Sequence, residues 1–214
     1  LTVMLVIDVS GSLDFGTAGQ LKRECVTEIA ATLAFSAIQN NDKIGVIFFS
    51  DHVEKYIPPK KGRKHILYLI REMLTFTPNS KKTDVGVGLE YLNKVVKRRC
   101  TAFVISDFYT RKDFSQELRI TNRKHDVVAI QVYDPRAKVM PDVGLLKVID
   151  AETGHEMYVD THDIRVRKAH NTYWEEREQR LHDTLTQSHV DSVAIATNDD
   201  YVKMLITLFL KRRR

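Results

Sequence analysis

Apolar residues in this chain follow two alternating rhythms. Short apolar runs closed by turn formers occur at Leu1–Ile7, Lys43–Ser50, Thr101–Ser106, Asp126–Tyr133 and Val193–Ala196. Such runs predict strands buried on both faces. His52–Ile57 predicts a shorter strand paired with Lys43–Ser50 and stopped by Pro58-Pro59. Between the runs, apolar positions recur with helical spacing. In Ala18–Gln39, Leu21, Cys25, Ile29, Leu33 and Ala37 stand four apart, with Val26, Ala30, Ala34 and Ile38 beside them. That wide stripe predicts a long helix with much of its circumference buried. Lys64–Thr75 and Asp84–Lys97 read as amphipathic helices, Arg111–Arg123 as a polar surface helix and Asp199–Leu210 as a closing helix. Asp163–Ser188 reads as a long charged helix, with Trp174 and Tyr173 packing it onto the body of the domain. Strand, helix, strand, helix predicts an α/β fold: a doubly wound, mostly parallel central sheet flanked by helices. Gly144–Tyr158 breaks the rhythm with two short strand-like runs around Asp150-Ala151-Glu152-Thr153-Gly154, a hairpin in which Gly154 supplies a positive φ. Connections are short and show no linker. The expectation is one domain over 1–214, a core over 1–133 and a hairpin, long helix, last strand and last helix over 134–214.

Composition keeps this picture within bounds. With 43% apolar and 29% charged residues over 214 positions, the chain can build a real core and is not disordered. No run reaches the roughly 20 apolar residues of a membrane span. The first apolar segment lacks the basic flank of a signal peptide, so the expected location is cytoplasmic. The chain opens at Leu1, inside a strand and without Met, and reads as part of a longer protein whose N-terminal region precedes it. Cys25 and Cys100 form no CxxC and have no histidine at zinc spacing, so they read as small buried apolar residues. The net charge of +5 comes in clusters, Lys60-Lys61-Gly62-Arg63-Lys64, Lys81-Lys82, Lys97-Arg98-Arg99 and Lys211–Arg214. An anionic partner would account for them. A solvated surface accounts for them better, since two clusters follow helices and none is studded with aromatic side chains, which disfavours nucleic acid.

Candidate chemistry gathers where strands end. The first run closes on Asp8, with Ser10 and Ser12 at alternate positions after it. The run Ala102–Ile105 closes on Ser106 and Asp107, and Thr83-Asp84 opens a glycine-containing helical pattern between the two. In open α/β sheets the ligand crevice lies beyond the carboxyl ends of the strands, where strand order reverses. Hydroxyls and two or three carboxylates there are hard-oxygen donors suited to Mg²⁺, with Ca²⁺ or Mn²⁺ as other candidates. Taken singly, Ser10, Ser12, Thr83 and Asp107 each read as a helix or turn cap. Their conjunction at strand ends is harder to explain that way.

Asp8-Val9-Ser10-Gly11-Ser12 resembles the Asp-x-Ser-x-Ser motif of von Willebrand factor A domains. Thr83 within KKTDVGVGL resembles that family's second motif and Asp107 within VISDF its third. The resemblance implies a metal-ion-dependent adhesion site with Asp8, Ser10, Ser12, Thr83 and Asp107 as metal ligands. It also implies a partner-binding rim that includes Lys81, Lys82, Asp84 and Phe108. Phe108 stands where a glycine is common. Over nearly the whole chain, stretches such as VMLVIDVSGSLDFGT and LAFSAIQNNDKIGVIFFSDHVEKYIPPKKGRKH resemble the bacterial domain-of-unknown-function family 58. Its members carry such a domain and are commonly associated with MoxR-type AAA ATPases. What this implies is a protein-interaction adaptor, not an enzyme, whose partner offers an acidic residue to the metal.

Two rivals come from other classes. An aspartate-nucleophile phosphohydrolase also begins with an Asp closing strand one, but needs a second Asp two residues on, where this chain has Ser10. A nucleophile elbow needs glycine where Asp8 stands ahead of Ser10. A nucleic-acid-associated A-like domain would use the basic clusters and bind in a strongly salt-dependent way.

Overall fold

A computed structural model describes residues 1–17 and 20–212. The chain runs β1 (Thr2–Asp8), a 3-10 turn (Gly11–Asp14), α1 (Lys22–Gln39), β2 (Lys43–Phe49), β3 (Val53–Lys60) and α2 (Arg63–Thr75). It continues through α3 (Val85–Val95), β4 (Thr101–Ser106), α4 (Ser115–Lys124), β5 (Asp126–Tyr133) and α5 (Pro135–Lys138). Last come β6 (Leu145–Ile149), β7 (Glu156–Asp160), α6 (Ile164–Gln187), β8 (Asp191–Ala196) and α7 (Tyr201–Arg212). Six strands form one sheet in the order β3-β2-β1-β4-β5-β8, parallel except for β3, while β6 and β7 make the separate hairpin.

The doubly wound arrangement follows from strands that are apolar on both faces. Alternate residues of β1 face opposite ways. Leu5 and Ile7 join Phe103, Ile105, Val128 and Ile130 against α1, α2 and α7. Met4 and Val6 join Ala102, Val104, Val127 and Ala129 against Leu89 and Leu92 of α3 and Leu118 of α4. Each central side chain is wholly buried, at about 1.5–3 kcal/mol per large residue.

Several boundaries depart from the sequence reading. β3 does not stop at Pro58-Pro59 but runs through both to Lys60, pairing Ile57 with Val46 and Lys60 with Ile44 across a bulge. The prolines cost no ladder bond because β3 is an edge strand and both fall within that bulge, where neither is paired. The expected helix start at Ala18 lies outside the described residues. Among those described, α1 begins at Lys22, with the Leu21 N–H donating to Glu24 Oε2 at 2.9 Å. α4 starts at Ser115, not Arg111, because Asp113 turns the chain and accepts the Ser115 N–H at 2.9 Å. α5 was not anticipated. Asp134 caps it by accepting the Arg136 N–H, and Pro135 stands in its first turn.

The long helix packs differently from expectation. Within α6 only Leu185 is fully buried, and Tyr173 is 44% exposed. Trp174 does meet the body of the domain, but half-buried and on the loop residue Tyr109, at 6.3 Å between ring centroids. The hairpin is as read, with Gly154 at φ 70°. Among the described residues no helix is long and apolar enough to cross a membrane.

At the amino ends of the strands His125 is wholly buried, its Nδ1 3.4 Å from Cys100 Sγ. Burial, with Lys124 and Arg99 nearby, pushes this imidazole down to about 4. The folded state thus holds His125 neutral while the unfolded chain protonates it near its ordinary value. Its stabilising contribution is complete above about pH 6.5 and drains away as pH falls toward 4. Urea midpoints should therefore fall more steeply over that window in the native protein than in His125→Leu. Parallel pH profiles would contradict the assignment.

Candidate metal centre

The chain leaves β1 for β2 on one side and later returns to β4 on the other, so strand order reverses between β1 and β4. These strands are parallel neighbours, Ile7 opposite Ile105, and their carboxyl ends open into one crevice. Asp8 closes β1 and is 1% exposed; Ser106 closes β4, and Asp107 follows at 4%.

Three contacts draw three distant segments into a ring. Ser106 Oγ donates to Asp8 Oδ2 at 2.5 Å, tying the β4 loop to the β1 loop. The Gly11 N–H donates to the Lys81 carbonyl at 2.9 Å, tying the β1 loop to the segment before α3. Thr110 Oγ1 donates to the Thr83 carbonyl at 3.2 Å, closing the ring back to the β4 loop. Within it Asp8 Oδ1 accepts the Ser10 N–H at 2.8 Å, and the Ser10 and Ser12 hydroxyls lie 3.1 Å apart. Asp8, Ser10, Ser12, Thr83 and Asp107 are all buried here, from loops far apart in sequence. Thr83 Oγ1 is a buried hydroxyl oxygen with no hydrogen-bond partner among the described residues. Three hydroxyls and two carboxylates, one hydroxyl unsatisfied, are a donor set that fits a hard dication.

The two carboxylates are not equivalent. Burial, followed by the Asp107 charge, pushes Asp8 up to about 6. Burial also acts to raise Asp107, but Lys22, the Tyr109 N–H and Arg177 outweigh it and hold that carboxyl below its usual range. The Lys22 contact was not legible in the sequence. From the first turn of α1 its Nζ reaches Asp107 Oδ2 at 2.5 Å, and its side chain is 9% exposed. Arg177 was also missed. Its guanidinium lies 4.6 Å from the Tyr109 ring and 4.8 Å from that of Trp174, and donates to the Asp107 carbonyl at 3.0 Å. The helical spacing of α6 marks Arg177 as one charged residue among many, so only tertiary structure singles it out.

The expected rim divides. Lys81 and Lys82 are exposed. Asp84 is buried, paired with Lys112 at 2.6 Å. Phe108 is a correction: its ring turns inward, 4% exposed, and stacks on Phe114 at 5.9 Å between centroids. Its backbone sits at φ 54°, the left-handed region that glycine enters freely, and the buried ring holds it there. Beside the crevice a cleft of about 620 Å³ runs between the β4 loop and α6, lined by Arg111, Lys112, Arg177 and Arg180 among others. The β6–β7 hairpin covers the other flank. A Cβ on Gly11 would stand 2.7 Å from the Ala151 carbonyl oxygen at the hairpin tip and 2.9 Å from Lys81 Cβ.

A family model described as "Protein of unknown function DUF58" matches residues 1–180. The chain belongs to the DUF58 family. An uncharacterized protein of Mycobacterium tuberculosis, Rv1480, is 34% identical over 156 residues, 72% of this chain and 49% of the relative. The chain spans about half the length of the curated relatives it matches. An aerotolerance-related membrane protein of Bacteroides fragilis superposes with a TM-score of 0.67 at 14% identity, covering 99% of both chains. The conserved hypothetical protein BatB of Bacteroides thetaiotaomicron gives 0.64 at 14%, covering 99% of this chain and 98% of that one. The SpRpn10 VWA domain gives 0.53 at 11%, covering 98% and 94%. The fold of this DUF58 chain is thus that of von Willebrand A domains.

Two substitutions probe this local architecture. Phe108→Ala should cost about 3–5 kcal/mol for the lost ring. Phe108→Gly should cost about 1 kcal/mol less than Phe108→Ala, reversing the ordinary order, because glycine relieves the left-handed backbone. Denaturant titration checks the order, and an alanine variant at least as stable as the glycine one would deny the strain. Gly11→Ala should push the hairpin tip off the β1 loop, seen as faster limited proteolysis between Asp150 and Gly154. Unchanged cleavage would mean the tip does not depend on that contact.

Proposed function

We propose that this DUF58 domain is a metal-dependent protein-interaction module, in which Asp8, Ser10, Ser12, Thr83 and Asp107 hold Mg²⁺. The observation that carries the reading is the unpartnered buried Thr83 Oγ1 in a ring of hydroxyls and carboxylates at the strand-order reversal. Mg²⁺, when bound, would supply an electrophilic position able to accept one carboxylate oxygen from a partner. The chain's own residues do the rest. Ser10 N–H and Ser106 Oγ fix the Asp8 carboxylate, and the Tyr109 N–H fixes Asp107 at 2.9 Å. Three of the five donors are neutral hydroxyls, so the ion keeps a coordination position that one stronger, carboxylate donor from a partner can fill. Lys81 and Lys82, with Arg111 and Arg180 along the cleft, favour an acidic approach that salt would screen. Ser10 stands where an aspartate-nucleophile phosphohydrolase carries the second β1-end aspartate that does its acid–base work, which supports an adaptor over a hydrolase. The family resemblance makes a MoxR-type AAA ATPase the partner to test first.

Titration calorimetry should show Mg²⁺ binding that disappears in an Asp8→Ala, Asp107→Ala double variant; equal binding by both proteins would remove the assignment. Capture of the ATPase from native extract should need Mg²⁺, fail in chelator and weaken as salt rises. Capture undiminished in chelator by the native protein would place the contact elsewhere on the surface.

A further inference from the structure

Lys22 is the one basic side chain bonded directly to a carboxylate of the candidate centre among the described residues. We propose that it is an internal counter-ion, the cation that occupies the Asp107 carboxylate until a metal displaces it. The inference rests on the metal-centre reading above and adds to it a residue that sets metal affinity.

The charges lead there. Two ionised carboxylates side by side and out of water repel each other, and each demands compensation. The Lys22 ammonium offsets one of the two charges. A dication entering with Lys22 in place would turn the centre positive in a medium that screens charge poorly; with Lys22 withdrawn, the dication and the two carboxylates balance. Metal and ammonium therefore compete, even if each uses its own oxygen. Geometry agrees. Asp107 Oδ2 takes the Lys22 Nζ and Oδ1 takes the Tyr109 N–H, so both oxygens are engaged by the chain itself. The contact is held by one flexible four-carbon stem in the first turn of α1, next to Leu21, which is 38% exposed. The ring above it, Phe15, is 41% exposed, with the ammonium 5.9 Å from its centroid. A lysine in that position can swing to water without disturbing the helix. A buried ion pair of this kind adds little net stability, which leaves room for a role in exchange.

The test compares Mg²⁺ titration calorimetry of the native protein, Lys22→Met, which keeps the stem without the charge, and Lys22→Arg. Lys22→Met should bind Mg²⁺ at least about tenfold more tightly than the native protein, and Lys22→Arg no more tightly than it. Metal-free Lys22→Met should melt lower, with Mg²⁺ restoring more of its melting temperature than it adds to the native protein. Equal or weaker binding by Lys22→Met overturns the proposal and leaves the metal centre standing. No binding by native protein and variants alike overturns both. Should Lys22→Met fail to fold, the native protein decides. Acetylation of Lys22, read by peptide mass spectrometry, should rise several-fold at saturating Mg²⁺ while Lys64 on the surface stays constant. Protection of Lys22 that is unchanged at saturation overturns the proposal.

Discussion

Two carboxylates buried side by side at the carboxyl ends of β1 and β4 are the constraint around which this end of the molecule is arranged. A charge taken out of water must be matched or neutralised, and an unmatched pair would cost more than a small domain can spare. The surroundings answer that demand oxygen by oxygen, with two backbone N–H groups, one serine hydroxyl and one ammonium. Ser106 is the hinge of the arrangement: its Oγ donates a hydrogen bond to Asp8 and accepts one from the Phe108 N–H at 2.8 Å, so the two loops cannot shift independently. The left-handed turn at Phe108 follows directly. With Ser106 facing Asp8 and Asp107 facing Lys22, the chain must reverse within one residue, and the cost is met by stacking Phe108 on Phe114.

The fold was legible where a local signal and the core agree. β4 and β5 begin and end where their apolar runs do, since both are central strands with little choice of register. Pro58 and Pro59 do not end β3 because proline reports a missing N–H but not whether that N–H would have had a ladder partner; here both fall in the bulge between the Val46–Ile57 and Ile44–Lys60 pairings. α4 starts four residues later than its charge pattern predicts, as charged residues carry helix propensity whether or not Asp113 turns the chain first. In α6 the aromatic pair suggested core burial by size alone. Tyr109, a loop residue with no periodic signal, turned out to be the platform for Trp174.

That the candidate residues gather at one crevice was legible for a different reason. Asp8, Ser10 and Ser12 lie within one turn of chain, and Thr83 and Asp107 each stand at an element boundary, so short patterns identify them. Lys22 and Arg177 do not announce themselves. Each is one cation in a charged helix and acquires meaning from what folds next to it. Phe108 shows the limit from the other side: a residue at a rim position in sequence can point its whole side chain inward.

α6 links the parts of this end into a closed mechanical loop. Its 24 residues form a rod about 36 Å long. Arg177 pins the middle of the rod to the Asp107 carbonyl, and Leu185 seats its far end in the core. Its near end is tied by Arg167 to the Thr161 carbonyl, at the foot of the β6–β7 hairpin. The hairpin tip rests on Gly11, inside the same loop that carries Ser10 and Ser12. A displacement of the β4 loop can thus travel along the rod, through the hairpin and back to the β1 loop. Two groups already joined across the crevice are joined a second time around its outside, like the two legs of a pair of calipers.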